Sequence, residues 1–327
     1  MAIIFFAGSV PGSGVTSTIA GLAHEWRKSG KSVHLIKPFT LNTDSPDSES
    51  SLFNSEIKQH QLYHEEAQLG KVKEQILRLS KSADITLVEG LPISNSEGTE
   101  MNISAKLASA IGAKVIGVQH FLNINADASF GLWRKFFGEE LIGIFANRVP
   151  PDRAHFAANV LNRAATECSI DLLSVIPEDR TMVSPSVIQI ADHLSAKFSN
   201  GPPHANPLVE NLLIGGLLME WGGNYFGRFP KQGVIIRSGR IDIQMSALNF
   251  PMSCMLLTTC MAPQQYVQQR AQAQGVPLMF VEETTMDVAN SLESIVKRVN
   301  AHHPEKITRF SQLLLNNTNI NALIQAG

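Results

Sequence analysis

Short apolar runs alternate with amphipathic stretches through the first half of the chain. The first run, AIIFFA at residues 2–7, ends in glycine and reads as a strand buried on both faces. A Gly/Ser-rich loop follows. From Ser17 to Ser29, Ile19, Leu22, Ala23 and Trp26 recur at helical spacing, and Gly30 supplies a helix-ending residue. Val33 to Ile36 is the next apolar run, so residues 2–36 predict a βαβ unit. Residues 40–60 are a polar loop. The alternation then resumes: helix 64–82, strand Ile85 to Val88, helix 102–111, strand Lys114 to Val118, a helix near 126–136, strand Leu141 to Ala146, helix 152–167 and a short strand Leu172 to Val175. Such a pattern predicts a parallel sheet covered by helices on both faces.

Ser184–Pro185 predicts a further helix start, with serine as N-cap and proline at the first helical position. Residues 199–207, SNGPPHANP, predict a linker. Beyond it, residues 208–218 are apolar. Strands are expected at Val234 to Ile236, Met252 to Thr258 and Leu278 to Val281, with helices at Ile241 to Leu248, 263–274 and 285–300. The expected organisation is α/β throughout: a parallel-sheet, P-loop NTPase-like domain at 1–198, a linker at 199–207, and a smaller α/β domain at 208–327. A length of 327 residues suits two cores.

Composition narrows the function classes. Charged residues are only 17% of the chain, which fits a buried parallel sheet and extensive subunit contacts. A formal net charge of −2, with no basic run, argues against nucleic acid as a main partner. Cys168, Cys254 and Cys260 have no metal-ligand spacing, so disulfides and structural zinc are not expected. His302–His303 reads as an inert exposed pair rather than a metal site. The N-terminus lacks a basic n-region, and no apolar stretch has the length of a membrane span. The expectation is a soluble, cytoplasmic protein with no membrane partner.

The loop Gly8-Ser9-Val10-Pro11-Gly12-Ser13-Gly14-Val15-Thr16 joins a strand to a helix. That context builds a phosphate cradle, because backbone N–H groups and the helix N-terminus face one anion. Gly8, Gly12, Ser13, Gly14, Thr16 and Ser17 are its candidate ligands. A P-loop ends Gly-Lys-Ser/Thr, and here the triplet is Gly14-Val15-Thr16. Anion binding by the backbone survives that change. Loss of one charge-stabilising group costs about 10²–10³ in rate in comparable oxyanion sites, so absent or weak ATPase activity is expected. Lys37 and Arg148 are candidate replacements. The competing reading is a glycine-rich turn serving only chain reversal.

Other residues carry paired readings. Glu89 at a strand end either holds magnesium, with Thr16, or is a solvated rim glutamate. Asp44 reaches the same metal or is an ordinary turn aspartate. Asn147 is a ligand or a loop cap. Arg240 binds an anion with Asp242 orienting it, or the two form a surface ion pair. Cys260 has no activating neighbour and reads as a buried strand-end thiol. Trp221, Tyr225 and Phe226 cover a pocket or subunit interface, or pack their own loop.

These motifs together resemble a known family. The glycine loop, Lys37-Pro38 after the second strand, Val88-Glu89-Gly90, Asn147-Arg148 and Ile176-Pro177-Glu178-Asp179-Arg180 resemble dethiobiotin synthetase and its amidoligase relatives. The resemblance implies ATP and Mg²⁺ as cofactors, Lys37 near the phosphates, the Glu89 carboxylate on magnesium and Asn147 on adenine. It also implies a homodimer with sites near the interface. Residues 208–300 resemble the DRTGG domain through Ser238-Gly239-Arg240-Ile241-Asp242, Leu257-Thr258-Thr259-Cys260, Val276-Pro277 and Glu282-Glu283-Thr284-Thr285. Gly239, Arg240, Asp242 and Thr258 are its candidate ligand residues. The pair of domains resembles the N-terminal region of long bacterial phosphate acetyltransferases, without the acetyltransferase domain. Val15, and Thr259-Cys260 in place of two glycines, depart from the pattern. The expected function is therefore a regulatory module binding a nucleotide or small anionic ligand. The alternatives are an ATP-dependent ligase of the dethiobiotin synthetase or cobyrinate amidoligase type, and a docking partner of a metabolic enzyme.

Overall fold

A strand that is apolar at six successive positions needs apolar cover on both sides, and β1 (Ala2–Gly8) has it. Ile3, Phe5 and Ala7 point into one core cluster, and Ile4 and Phe6 into a second cluster on the opposite face. The computed structural model describes residues 2–326 apart from 41–48, 55–56, 58–59, 62–65, 94–98, 122–125 and 217–220. Two compact units divide the chain, residues 1–182 with 301–327, and residues 183–300.

In the first unit, β1 is joined by β2 (Val33–Ile36), a small parallel pair β3 (Phe39–Thr40) and β4 (His60–Gln61), then β5 (Ile85–Glu89), β6 (Lys114–His120), β7 (Leu141–Val149) and β8 (Leu172–Pro177). The main sheet has the order β2-β5-β1-β6-β7-β8 and is parallel throughout. Its strands and the helices Val15–Lys28, Glu66–Ser80, Thr99–Ala110, Ala126–Phe137 and Ala154–Glu167 follow the expected alternation. β1 and β6 send their connections to opposite sides, so their carboxyl ends border a topological switch point, where ligands bind in open α/β sheets.

The chain beyond residue 300 departs from expectation. It forms helices Pro304–Asn317 and Ile320–Ala326 and belongs to the first unit. Phe310, Leu313, Leu314, Ile320 and Leu323 bury against the same cluster as Phe6, Ile19 and Trp26. Gly21 allows the close approach: a Cβ there would lie 3.0 Å from Leu314 and 3.1 Å from Phe310. His303 is the N-cap of Pro304–Asn317, and the Ser51 hydroxyl lies 2.9 Å from His302 Nδ1, so the histidine pair is built into the fold.

The second unit is a five-stranded sheet. Its strands are β9 (Lys197–Phe198), β10 (Asn211–Ile214), β11 (Gln232–Arg237), β12 (Cys254–Thr258) and β13 (Leu278–Phe280), in the order β10-β11-β12-β13-β9. Only β9 runs antiparallel. Because β9 pairs with β13, residues 183–198 belong here and not to the first domain, and 199–207 is an internal connection of this unit. The helix expected at Ser184–Pro185 begins later. Ser186 is its N-cap, in a capping box with Gln189, and the helix is Val187–Leu194. It packs on helix Thr285–Leu292 through Val187, Ile190, Val288 and Leu292.

Candidate functional site

The loop after β1 is folded by its own small residues. Gly14 has φ 95°, left-handed backbone that glycine adopts without strain, and it is the N-cap of helix Val15–Lys28. The Thr18 N–H returns to the Gly14 carbonyl. Those of Val15, Thr16 and Ser17 have no acceptor within the helix, as the first turn dictates. Ser13 is buried and its N–H closes a turn onto the Val10 carbonyl, while the Ser9 N–H bonds the Val118 carbonyl. A Cβ on Gly8 would meet the Ser13 hydroxyl at 2.4 Å, so the loop folds tightly back on the end of β1. Gly12 has φ 77° with open space at its Cβ position. Val15 is buried among Ile4, Phe6 and Ile19.

Three side chains converge beside this loop. The Thr16 hydroxyl donates to Glu89 Oε2 at 2.9 Å, and Lys37 Nζ lies 3.0 Å from Glu89 Oε1. The Lys37 ammonium also sits 5.6 Å above the Phe53 ring. Glu89 is buried, not a solvated rim residue. Burial pushes its carboxyl above the ordinary glutamate value, Lys37 and the Thr16 hydroxyl oppose that shift, and the charge of Glu49 adds to it. Two hard oxygen donors, Thr16 and Glu89, stand within hydrogen-bond distance, a donor set that fits Mg²⁺. Asp44 lies outside the described residues, among which no cluster of three or more metal-ligating side chains occurs.

Asn147, expected on adenine, is directed onto the loop. Its Nδ2 donates to the Ser13 carbonyl at 2.8 Å, and its Oδ1 accepts the Arg148 N–H at 2.9 Å. A Cβ on Gly14 would lie 2.2 Å from that amide nitrogen, so glycine and asparagine interlock. Arg148 adopts φ 59° at an irregularity of β7, and its guanidinium is 3.6 Å from Glu178. His120, at the end of β6, donates its N–H to the Ser9 hydroxyl. Its buried Nδ1 has no partner among the described residues, and burial followed by the charge of Arg148 holds its pKa below the usual value.

In the second unit the candidates line the carboxyl ends of β11 and β12. Arg240 Nε and Nη2 donate to the two carboxylate oxygens of Asp242 at 3.0 and 2.8 Å, a two-pronged exposed pair. Gly239 precedes it with open space at its Cβ position. Thr258 is buried and its hydroxyl is 2.7 Å from that of Thr285. Thr259 holds φ 50°, where the resembled motif has glycine; its N–H reaches the Glu283 carbonyl and its hydroxyl donates to the Thr258 carbonyl. Cys260 is buried, which raises its thiol. Of the aromatic trio, Phe226 is buried, the Tyr225 hydroxyl donates to the Ile214 carbonyl, and Trp221 is exposed.

Sequence reasoning overlooked Ser9, His120, Glu49, Phe53 and Lys306. Lys306 alone leaves a trace in the pattern: it precedes Phe310, Leu313 and Leu314 at spacings of four, seven and eight, which puts it on the buried face.

Comparisons with known proteins agree with this division. Residues 189–295 match the DRTGG domain. The chain is 22% identical over 346 residues to the phosphate acetyltransferase of Deinococcus radiodurans, covering 94% of this chain and 49% of that protein. It is 21% identical over 373 residues to the one from Acinetobacter baylyi, covering 97% and 51%. It thus spans about half the length of these curated relatives. Among solved structures, MinD of Aquifex aeolicus in complex with MinC matches with a TM-score of 0.40 at 15% identity, over 56% of this chain and 84% of that one. The CBS and DRTGG domains of Clostridium perfringens pyrophosphatase, complexed with its activator diadenosine tetraphosphate, match with a TM-score of 0.31 at 12% identity, over 48% and 77%. No helix among the described residues is long and apolar enough to cross a membrane. The chain therefore carries a DRTGG domain at residues 189–295, which interrupts a parallel-sheet unit in the sequence, and nearly its whole length is similar in sequence to phosphate acetyltransferases.

Proposed function

We propose that this protein is a regulatory module that binds a polyphosphate-bearing ligand, with ATP as the first candidate, at Gly8–Thr16 and turns it over weakly or not at all. One observation carries the reading. Thr16, Glu89 and Lys37 meet beside a loop whose first-turn N–H groups lack helical acceptors, while Val15 is turned into the core. The backbone of Gly12 to Ser17 holds the anion and Lys37 contributes charge to it. Thr16 and Glu89 would hold a magnesium ion, whose chemistry is to bridge and neutralise phosphate oxygens. With Asn147 braced on the loop, the base is read weakly, and the phosphates supply most of the affinity. Arg148 is a second, outer cation. We also propose a cytoplasmic homodimer. The acetyl-transfer activity of the relatives is not part of this reading, and Gly239, Arg240, Asp242 and Thr258 are offered as the place where the DRTGG domain meets a small ligand.

Calorimetry with Mg-ATP, ATP plus chelator, and tripolyphosphate tests it. Binding that Thr16→Ala weakens, with no phosphate release, is the expected result; no heat with any of the three would sink it. The second reading, a ligase activating a carboxylate as an acyl phosphate, rests on the Lys37–Glu89 pair. It predicts phosphate release from Mg-ATP when small dicarboxylates or amines are supplied, abolished by Thr16→Ala. Light scattering coupled to gel filtration tests the dimer.

A further inference from the structure

Lys306 is 1% exposed, although an ammonium is among the most costly groups to bury. It lies in the first turn of helix Pro304–Asn317, and the ends of that helix fix where it stands. Arg309 Nε donates to Asp179, just past the carboxyl end of β8, at 2.9 Å. At the other end the Asn317 carbonyl accepts the Ser174 hydroxyl, within β8, at 3.2 Å. The helix therefore runs from the carboxyl edge of the sheet toward the amino edge. Lys306, one turn before Arg309, is at the same edge as the phosphate loop, on the helix that packs against Val15–Lys28 at Gly21.

Glu49 links Lys306 to the loop. Its carboxylate accepts the Ala301 N–H at 2.7 Å, just before helix Pro304–Asn317, and its charge favours the Lys306 ammonium. Ser51 holds His302, and Phe53 lies under Lys37. Residues 49–53 thus span from the Lys37–Glu89 pair to the start of the C-terminal helix. Glu49 occupies a seat made of a backbone N–H and a neighbouring lysine, the donor types that elsewhere receive phosphate.

We propose that Lys306 is a phosphate-binding lysine delivered by the C-terminal helix in place of the one missing at Val15, and that the Glu49 carboxylate holds its seat until a polyphosphate displaces it. The inference rests on the proposed binding of a polyphosphate ligand at the loop. Removing one member of a buried pair destabilises, because the Glu49 carboxylate would keep its charge without the neighbouring ammonium, so Lys306→Met is checked for native Trp26 fluorescence before titration, and Lys306→Arg keeps the charge. Burial already holds the Lys306 pKa down to about 8.

The test is calorimetry of tripolyphosphate and of Mg-ATP at one fixed salt concentration, with wild type, Lys306→Met, Lys306→Arg and Glu49→Gln. Lys306→Met should lose about 10- to 100-fold in affinity, the worth of one charge-assisted hydrogen bond, and Lys306→Arg should recover part of it. Glu49→Gln should bind several-fold tighter, an effect that a merely structural glutamate would not produce. Equal losses for both ligands assign the lysine to the phosphate chain; a loss confined to Mg-ATP overturns that assignment. Wild-type binding retained unchanged in Lys306→Met, or weakened in Glu49→Gln, refutes the inference and leaves the function standing. A wild type that binds neither ligand removes the function and this inference together.

Discussion

Gly14→Ala probes the interlock between the loop and Asn147. The new methyl group meets two obstacles. Its backbone must stay at φ 95°, ψ 24°, which costs an L-residue about 1–2 kcal/mol. Its Cβ would also stand 2.2 Å from Asn147 Nδ2, a buried side chain that has to rotate away. Rotation breaks the bonds to the Ser13 carbonyl and the Arg148 N–H, adding about 1–3 kcal/mol for polar groups left unpaired. The expected loss is about 2–5 kcal/mol in the first unit. Urea unfolding followed by tryptophan fluorescence reads it selectively, since Trp26 and Trp133 are buried in that unit and Trp221 of the second is exposed. Asn147→Ala removes the obstacle, so the double variant should be more stable than the summed single effects predict, by about 1–2 kcal/mol. A loss below about 0.5 kcal/mol for Gly14→Ala, or strict additivity in the cycle, would refute the interlock.

Other expectations follow from the buried charges and the C-terminal segment. Glu89 is held above its ordinary value first by burial, so its proton is favoured in the native state; that contribution is present at low pH and lost as pH rises through the native value. Unfolding midpoints measured from about pH 4 upward should show this loss in wild type and not in Glu89→Gln. Lys306 runs the other way. Its native value of about 8 lies below the ordinary 10.5, so its contribution is full above 10.5 and lost as pH falls through 8. The stability difference between Lys306→Met and wild type should therefore shift in the variant's favour from pH 10.5 down to pH 8 and then level off. Deleting residues 301–327 removes the five large apolar side chains Phe310, Leu313, Leu314, Ile320 and Leu323 from the core, worth at most about 7–15 kcal/mol, which is as large as the whole stability of a domain. That variant should lose the cooperative unfolding transition of Trp26, while 183–300 expressed alone should fold; a truncated chain with native Trp26 fluorescence would contradict the assignment of the segment to the first unit.

What the sequence made legible follows from where each signal lives. Strands such as AIIFFA announce themselves because two cores flank them, and the glycine loop announces itself through spacing. The partners of the loop are another matter. Thr16 meets Glu89 across 73 positions and Asn147 meets Ser13 across 134, distances that only the sheet order closes. Asn147 was visible as a polar residue at a strand end, but its direction depends on the left-handed turn at Gly14. The domain boundary misled because Pro and Gly mark irregular backbone, and irregular backbone inside a unit looks the same as a linker. β9 is two residues long and pairs antiparallel, too little pattern to read. The C-terminal helix was hidden for a different reason: a histidine serves as its cap and a lysine sits on its buried face, where the usual signals are a small polar cap and an apolar stripe.

The energetic position of these charges bears on what the site is for. Burial opposes the charge of both Glu89 and Lys306, and each has an opposite charge beside it, Lys37 for the one and Glu49 for the other. Neither position is forced by the sheet: Glu89 ends its strand, and Lys306 sits in the first turn of a helix whose grip comes from Phe310, Leu313 and Leu314. On the proposed function, a polyphosphate at the loop would set its charge against the Lys37 and Lys306 ammonium groups, in surroundings drier than an open surface, where each contact is stronger. Val15 fits the same account. A lysine at the loop itself would place a third ammonium beside Lys37, whereas an apolar residue there anchors helix Val15–Lys28 to the core and leaves cation delivery to neighbouring elements. Val15→Lys should accordingly tighten tripolyphosphate binding less than Lys306→Met weakens it, and the two changes combined should fall short of wild-type affinity. Full recovery of affinity in the double variant would instead show that the lysine at the loop and Lys306 are interchangeable point charges, with no special seat held by Glu49.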